Sequence, residues 1–282
     1  MNHSTTRRLL TAGLAGLAAT PALAAGNPLA ALERRDGGRL HVFALDTGSG
    51  RNLAHRSTDR VLMCSTFKAL LAAAVLARVD AGQEALNRRV PIRPEDLLEY
   101  APVARAHAAA GGASVEVLAE GMVGLSDNTA ANLLLPSVGD PAGLTRWLRG
   151  IGDPLTRLDR NEPGLNHPSG ELDTTTPRRM AETLGAILLG PVLAAPSRER
   201  LEGWMAASPT GRARLRAGMP EGWRVADKTG TGGSWANVVA LVRPPGRAPV
   251  LVSSFYDVSN VPAAKRDGVH REVGRIVAEW LG

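Results

Sequence analysis

Cysteine, aromatic residues and paired histidines are all scarce in this sequence of 282 residues. Cys64 is the only cysteine, so no intramolecular disulfide bond can form, even in an oxidising compartment. The six histidines are scattered, and none of them pair at metal-ligand spacing, which argues against a zinc hydrolase. We therefore expect no metal centre and no organic cofactor. We interpret Cys64 as a small buried filler rather than as a nucleophile.

The charge balance is basic, but it has no nucleic-acid signature. Lysine and arginine total 33 against 27 acidic residues, which gives a net charge of +6. Nucleic-acid binding needs basic residues clustered on one face or a recognised motif, whereas the arginines here are dispersed and aromatic residues make up only 4%. The hydrophobic share of 44% is ordinary for a globular protein. The sequence predicts a globular monomer without a nucleic-acid partner.

The first residues have the pattern of an export signal. Arg7 and Arg8 precede an apolar run from Leu9 to Leu23, and a small-residue cleavage site follows at Ala24. Paired arginines favour the twin-arginine route, with an ordinary Sec signal as the alternative. No second apolar stretch approaches membrane-spanning length. We therefore predict a signal peptide over residues 1–24 and a mature periplasmic or secreted chain without a membrane anchor.

Strands at both ends of the chain flank a helical middle. The stretch Ser65–Val79 is helical and apolar on all sides, so it is predicted to lie buried in its domain. The predicted strands are Leu40–Leu45, Asn52–Arg56, Trp223–Thr231, Asn237–Arg243 and Pro249–Phe255. The other predicted helices are Val115–Leu125, Thr129–Leu135, Pro141–Gly150, Pro177–Leu189 and Pro262–Leu281. The predicted fold class is α/β (α+β), with an antiparallel sheet lobe (about residues 28–60 and 213–282) flanked by helices and an all-α lobe (about 61–212).

Ser65 and Lys68 form the first candidate catalytic pair. Three residues apart on a helix, their side chains share one face and can reach each other. The backbone N–H groups of a first helical turn favour negative charge nearby, and a buried lysine loses its proton more easily than a solvated one. The alternative, a surface serine and lysine on an ordinary helix, conflicts with the apolar run that follows.

Ser126 and Asn128 belong to a second motif, Ser126-Asp127-Asn128, between two helical stretches. Alone, this tripeptide is typical of a turn or a helix N-cap. In a functional interpretation Ser126 relays a proton to a leaving nitrogen, Asn128 offers its amide to the substrate, and Asp127 holds the loop.

Lys228, Thr229, Gly230 and Thr231 form a third motif at the edge of a predicted strand. A phosphate-binding P-loop requires glycine directly before the lysine, and Asp227 stands there instead. On a strand edge the motif supplies a cation, two hydroxyl groups and an unobstructed backbone at Gly230. Such a surface suits a substrate that carries a carboxylate and an amide.

Glu162 lies in a loop that follows Arg160. A glutamate that faces the serine can hold and deprotonate a water molecule, although most loop glutamates are simply solvated. An ion pair between Arg160 and Asp173 is expected to keep this loop folded over the pocket, so Asp173→Asn should loosen it.

Along the chain these four motifs begin at Ser65, Ser126, Glu162 and Lys228. In that order they resemble the active site of class A serine β-lactamases, and the similarity extends over essentially the whole mature chain. The resemblance implies a two-lobe fold with the site in the groove between the lobes. It implies hydrolysis of the β-lactam amide bond of penicillins and cephalosporins, and so antibiotic resistance, through an acyl-enzyme on Ser65. Either Lys68, or Glu162 through a water molecule, would take the serine proton.

The resemblance also assigns the remaining site residues. Glu162 with Asn166 would position the deacylating water, and the backbone N–H groups of Ser65 and Thr231 would form the oxyanion hole. The substrate carboxylate would face the residues Lys228, Thr229 and Thr231. Tyr100 matches an aromatic wall of the site, and Arg214 matches an arginine that supports carboxylate binding, with an exposed loop arginine as its alternative.

Three departures from the family pattern fall on the rim of the pocket. The loop from Asn166 to Asp173 and the turn Gly232–Ala236 are both short, and Val238 stands where the family commonly has aspartate. Some carbapenemases of the family bridge the cysteine at the position of Cys64 to a second cysteine, which is replaced here by Gly232. That disulfide bond is therefore expected to be absent, which argues against carbapenem hydrolysis.

Two rival functions share part of the motif set. A penicillin-binding D,D-peptidase has the Ser-x-x-Lys, Ser-x-Asn and Lys-Thr-Gly motifs, but it lacks the water-holding pair represented here by Glu162 and Asn166. A β-lactam sensor or trap would acylate without turnover. The same glutamate and the lack of a membrane segment both argue against it.

Overall fold

Five strands from the two ends of the chain build one antiparallel sheet. The computed structural model describes residues 26–282, so the predicted signal peptide over residues 1–24 lies outside the described residues. The sheet order is β2-β1-β9-β8-β7, with all neighbours antiparallel. Its strands are β1 (Arg39–Asp46), β2 (Asn52–His55), β7 (Arg224–Gly232), β8 (Trp235–Arg243) and β9 (Val250–Asp257). The two remaining sheets are two-stranded and pair β3 (Val61–Leu62) with β6 (Thr174–Thr175) and β4 (Arg89–Pro91) with β5 (Gly112–Ser114).

The helices lie on both faces of the sheet and form most of the middle of the chain. They are α1 (Pro28–Asp36), α2 (Phe67–Asp80), α3 (Pro102–Ala108), α4 (Val115–Gly124), α5 (Asn128–Leu134), α6 (Asp140–Gly150), α7 (Pro177–Leu188), α8 (Ala195–Ala207) and α9 (Ala263–Leu281). Within residues 26–282 no helix combines the length and the hydropathy needed to cross a membrane.

The two faces of the sheet belong to two separate cores. On β8, the side chains of Val238, Ala240 and Val242 pack with α1 and α9 in one core, because successive strand residues point to opposite faces. Val239 and Leu241 point the other way, into a larger core that also contains α2, α4 and α7. The site described below lies on the side of this second core.

Helix α2 runs through the centre of the larger core. Every residue from Phe67 to Leu76 is buried, including Lys68, which confirms the prediction of a buried helix. Burial of each leucine on this helix contributes roughly 1.5–3 kcal/mol, which more than offsets the modest conformational cost of an alanine-rich helix. Lys68 therefore lies on one of the most firmly packed elements of the molecule, and Ser65 lies just before it.

The predicted elements agree with the observed ones to within a few residues, and the predicted fold class is confirmed. The sequence interpretation did not name α1, α3, α8 or the short two-stranded sheets. The turn between β7 and β8 is tight, because Gly232 pairs with Trp235 and only Gly233 and Ser234 connect them. Gly233 has a φ of 55°, a conformation that glycine adopts without steric cost.

Candidate active site

Ser65 lies in a short 3₁₀ turn, Cys64–Thr66, that leads directly into α2. Cys64 has a φ of 46°, an unfavourable conformation for a residue with a side chain, and such strained residues cluster at functional sites. The thiol of Cys64 is buried, and burial raises its pKa to about 12. Cys64 is therefore an unreactive filler, as predicted from its position, and Ser65 is the residue that faces the cleft.

Lys68 lies directly beneath Ser65 and is fully buried. Its Nζ atom is 3.0 Å from Ser65 Oγ and 3.0 Å from Glu162 Oε1, and it also donates to Ser126 O (2.8 Å) and to Asn128 Oδ1. Burial lowers the pKa of Lys68, while the neighbouring Glu162 carboxylate acts in the opposite direction. A lysine with a lowered pKa beside a serine hydroxyl is suited to accept a proton.

Glu162 also contacts the serine, from the loop between α6 and α7 and on the same side as Lys68. Its Oε1 atom is 3.2 Å from Ser65 Oγ, and its Oε2 atom accepts a hydrogen bond from Asn166 Nδ2 at 2.6 Å. The backbone of Glu162 is fixed by Asn132, whose side chain accepts from Glu162 N (3.0 Å) and donates to Glu162 O (2.9 Å). Asn132 is a site residue that the sequence interpretation missed.

The loop that carries Glu162 is held by the buried carboxylate of Asp173. Arg160 Nε donates to Asp173 Oδ2 at 2.6 Å, so the predicted ion pair is present. Asp173 Oδ1 also accepts from the backbone N–H groups of Asp159 (2.7 Å) and Arg160 (3.0 Å). One carboxylate thus ties together both ends of the loop.

Ser126 occupies the wall opposite Glu162 and has a φ of 61°. This strained backbone is held by the neighbouring Asp127, whose carboxylate accepts from the N–H groups of Val103 (2.8 Å), Ala104 (2.9 Å) and Ala130 (2.8 Å). Asp127 is also the N-cap of α5, so it holds the loop as the sequence predicted.

Lys228 is the second buried lysine of the site. Its Nζ atom donates to Ser126 Oγ at 3.0 Å and to Thr229 O at 2.8 Å, both of which are uncharged. Burial lowers the pKa of Lys228 well below its usual range, and the nearby charge of Lys68 lowers it further. An anion bound beside Lys228 would stabilise its protonated form.

A row of hydroxyl groups and a guanidinium line the β7 side of the cleft. Thr229 Oγ1 lies 2.8 Å from Thr210 Oγ1, and Arg214 donates to Thr231 Oγ1 at 2.8 Å. Arg214 is buried and is held by Asp267 at 2.8 Å, so it is not the exposed loop arginine that sequence reasoning left open. Thr210 and Asp267 are further residues that the sequence interpretation did not identify.

Gly230 and Gly232 permit close approach within the chain itself. A Cβ atom on Gly230 would lie 2.8 Å from Met63 O and 3.2 Å from Ser65 N, so the missing side chain lets β7 pack against the nucleophile turn. The expected role of Gly230, close approach of a ligand, is thus joined by this packing role. A Cβ on Gly232 would lie 3.1 Å from the sulfur of Cys64, which is a free thiol.

These residues surround one cleft of about 330 Å³. Of the sequence-predicted site residues, Lys68, Glu162 and Lys228 lie beneath the floor and walls, while the others line the open surface together with Thr210. The lining residues are Ser65, Tyr100, Ser126, Asn128, Asn166, Thr210, Arg214, Thr229 and Thr231. Tyr100 is 52% exposed and stands at the rim of the cleft. Within residues 26–282 no group of three potential metal-ligating side chains comes together.

Comparisons with known proteins give a consistent result. Residues 25–281 match the model of the β-lactamase enzyme family. The chain is 44% identical over 265 residues to β-lactamase L2 of Stenotrophomonas maltophilia, covering 93% of this chain and 87% of the relative. It is 40% identical over 274 residues to the carbapenem-hydrolysing β-lactamase KPC of Klebsiella oxytoca, covering 95% and 93%. The structure of an ancestral class A β-lactamase, GNCA, superposes with a TM-score of 0.87 at 55% identity, covering 90% of this chain and 98% of that one.

Proposed function

The chain belongs to the class A β-lactamase family, and from that membership and the geometry of its site we propose that it opens β-lactam rings through an acyl-enzyme on Ser65. Hydrolysis of β-lactam antibiotics, and with it antibiotic resistance, is the activity of this family. The observation that carries the proposed mechanism is the position of Ser65 Oγ, which is 3.0 Å from Lys68 Nζ and 3.2 Å from Glu162 Oε1.

Acylation begins with attack of Ser65 Oγ on the lactam carbonyl carbon. Lys68, or Glu162 through a water molecule, takes the hydroxyl proton, and both groups are within reach of the serine. The oxyanion that forms is stabilised by the backbone N–H groups of Ser65 and Thr231. When the carbon–nitrogen bond breaks, Ser126 passes its hydroxyl proton to the nitrogen and receives in return the proton that was taken from Ser65. Lys228 stays protonated and donates to Ser126 Oγ, 3.0 Å away.

Deacylation needs a water molecule on the opposite side of the ester. Glu162 and Asn166, whose side chains are hydrogen-bonded at 2.6 Å, hold and deprotonate this water. The hydroxide oxygen bonds to the acyl carbon, the ester bond to Ser65 breaks, and the proton returns to the serine. This glutamate and its amide partner favour turnover over the trapped acyl-enzyme of a sensor or a D,D-peptidase.

Substrate binding uses the β7 side of the cleft. Lys228, Thr229 and Thr231 face the substrate carboxylate, and Arg214 supports it behind Thr231. Asn128 Oδ1 accepts a hydrogen bond from Lys68, and the Asn128 NH₂ group has no partner among residues 26–282, so it can donate to a substrate amide oxygen in the cleft. Tyr100 provides an aromatic wall at the rim.

We further propose that residues 25–282 are one catalytic unit, made of a sheet lobe (about 28–60 and 213–282) and a helical lobe (about 61–212). Residues 1–24 direct export to the periplasm or the medium, and the mature enzyme acts as a monomer on small β-lactam molecules, without nucleic acid, membrane anchor or cofactor.

Intact-protein mass spectrometry with a chromogenic cephalosporin, with absorbance followed in parallel, tests the mechanism. We expect rapid multiple turnover with no lasting adduct, and complete loss of turnover in Ser65→Ala because no other hydroxyl occupies the nucleophile position. Retained hydrolysis in Ser65→Ala would remove that residue from its role. A stoichiometric burst with a stable adduct in the wild-type enzyme would instead favour the peptidase or sensor functions.

A further inference from the structure

Asn237 is a buried polar residue in an otherwise apolar stretch of β8. Its side chain is fully buried and lies on the same face of the sheet as Val239 and Leu241, because side chains alternate along a strand. Burial of an amide costs free energy unless it is hydrogen-bonded. The hydrogen bonds of the Asn237 side chain therefore determine whether its burial is compensated and which part of the molecule it holds in place.

The side-chain amide of Asn237 binds the backbone just ahead of the nucleophile. Its Nδ2 atom donates to Leu62 O at 2.9 Å and to Met63 O at 3.1 Å. Both partners are carbonyl oxygens, which only accept hydrogen bonds, so the amide orientation is fixed with its NH₂ group toward the turn. Both donors of the amide are used on one short segment, while Asn237 Oδ1 has no partner within residues 26–282.

This segment is the backbone that sets the position of Ser65. On its other side, Met63 N donates to Asp173 O at 3.0 Å, which joins it to the loop that carries Glu162. Within residues 26–282, Asn237 supplies the only hydrogen bonds between the five-stranded sheet and the segment 61–66. The strained turn at Cys64 therefore packs against β7 at Gly230 and is hydrogen-bonded to the sheet through this amide.

The attachment matters because the two oxyanion-hole donors belong to different elements. Ser65 N is on the nucleophile turn, and Thr231 N is on β7, next to Gly230. Asn237 pairs with Gly230 across β7 and β8, and Arg214 donates to both Gly230 O (3.0 Å) and Asn237 O (2.7 Å). Asn237 thus connects the strand that carries one donor to the turn that carries the other.

We propose that Asn237 is a positioning residue that fixes the separation of the Ser65 and Thr231 N–H groups, and so the geometry of the oxyanion hole. The inference rests on the proposed function, since it assumes that Ser65 is acylated. Oxyanion-hole donors act in the transition states of both acylation and deacylation, whereas ground-state binding of the substrate carboxylate uses other groups.

Asn237→Ala and the isosteric Asn237→Asp test this role in single-turnover experiments with a chromogenic cephalosporin, using rate constants per titrated active site. We expect both chemical steps to slow by about tenfold to a hundredfold, less than the roughly hundredfold to thousandfold lost when a donor is itself removed. Substrate affinity before acylation should remain unchanged. Asn237→Asp, which turns a carboxylate toward two carbonyl oxygens, should be affected at least as strongly as Asn237→Ala.

A spectroscopic signature separates positioning from a merely structural role. The infrared carbonyl band of the acyl-enzyme should move to higher wavenumber in Asn237→Ala, because weaker hydrogen bonds from the oxyanion hole polarise the ester less. Ser253→Ala is the matched control, since Ser253 is a buried serine of β9 that donates to Pro177 O at 2.5 Å, away from the site. We expect it to lose stability without a change in either rate constant or in the band.

Unchanged rate constants per active site and an unchanged carbonyl band in Asn237→Ala would overturn the inference, even if the variant were less stable. Should Asn237→Ala fail to fold, Asn237→Ser, which keeps a donor, takes its place with the same two readouts. An absence of any acyl adduct in the wild-type enzyme would refute the proposed function instead, so the two failures are distinguishable.

Discussion

The two walls of the cleft each contain a fully buried lysine, and the two lysines have opposite surroundings. Lys68 lies 3.0 Å from the carboxylate of Glu162, in a wall whose charges cancel. Lys228 donates only to a serine hydroxyl and a backbone carbonyl, so its own wall contains no carboxylate in contact with it among the described residues. The difference lies in the partner, since burial is the same for both.

The pairing determines what each lysine can do. Burial lowers the pKa of both groups, but Glu162 opposes the shift at Lys68, whereas Lys68 reinforces it at Lys228. The pair of Lys68 and Glu162 can pass a proton internally without a change in total charge. Lys228 has a positive charge that a substrate carboxylate would neutralise, at a cost to the stability of the free enzyme.

The largest expected effect comes from removing the carboxylate of Glu162, which balances the charge of Lys68. In Glu162→Gln the pKa of Lys68 should fall further, because the group that opposes its lowering is gone. Acylation should therefore continue with neutral Lys68 as base, while deacylation slows by roughly 10²- to 10⁴-fold, the usual contribution of a general base. Mass spectrometry of the variant mixed with a cephalosporin should show an accumulating acyl adduct.

Two results in Glu162→Gln would contradict the proposed difference between Lys68 and Lys228. Normal deacylation would mean that another group activates the water. Loss of acylation with no adduct would mean that Lys68 alone cannot accept the serine proton. Asn132→Ala is a useful companion, because it leaves the carboxylate in place but removes both hydrogen bonds to the Glu162 backbone.

The second-largest effect is expected at Lys228, the buried lysine that contacts no carboxylate among the described residues. Lys228→Met keeps most of the length of the side chain but removes the charge that is proposed to face the substrate carboxylate. We expect kcat/KM to fall by roughly a hundredfold or more, because loss of one partner of a buried charge pair costs about 2–5 kcal/mol. Tm should rise, since a buried cation without a contacting carboxylate is replaced by an apolar group. Steady-state kinetics and thermal unfolding measure the two quantities.

Lys68→Met is the matched control for the stability part of this prediction. It removes the same charge from an equally buried position but leaves Glu162 without its partner. Breaking a buried pair in this way typically costs about 3–5 kcal/mol, so Tm should fall. If both methionine variants changed Tm in the same direction, the proposed difference between the two walls would be wrong.

Sequence reasoning found the residues that belong to short motifs and missed those defined by long-range contacts. Ser65, Lys68 and Lys228 stand in compact patterns whose chemistry is visible from spacing alone. Asn132 and Asn237, in contrast, act through backbone atoms that are far away in the sequence, namely those of Glu162 for one and of Leu62 and Met63 for the other. No local pattern distinguishes such an asparagine from one in a turn.

The same distinction applies to the fold. Helix α2 and the long strands were predictable because their apolar residues are continuous or alternate. Helix α8 has only a few buried apolar side chains among charged residues, and the strands β3 and β6 are two residues each, so their existence depends on tertiary pairing. The exposure of Arg214 was likewise undecidable from its loop sequence, because Asp267, its partner, lies in α9.

The smallest expected effect concerns the loop that keeps Glu162 beside Lys68. In Asp173→Asn the charge that binds Arg160 is lost, together with the acceptor strength of three hydrogen bonds. The loss should destabilise the protein by about 1–3 kcal/mol, the range for hydrogen bonds to a charged group. Because the loop carries Glu162 but not Ser65, deacylation should slow more than acylation. The expected slowing of deacylation is about tenfold, which is part of the rate enhancement that a general base contributes.

Asp153→Asn supplies the control for a general loss of stability. Asp153 is also a buried carboxylate that accepts two backbone N–H groups, from Leu155 and Thr156, but it lies outside the loop that carries Glu162. We expect it to lower Tm without changing the ratio of deacylation to acylation rates. If the ratio of deacylation to acylation rates were the same in Asp153→Asn and Asp173→Asn, the Arg160–Asp173 pair would not be what holds Glu162 beside Lys68.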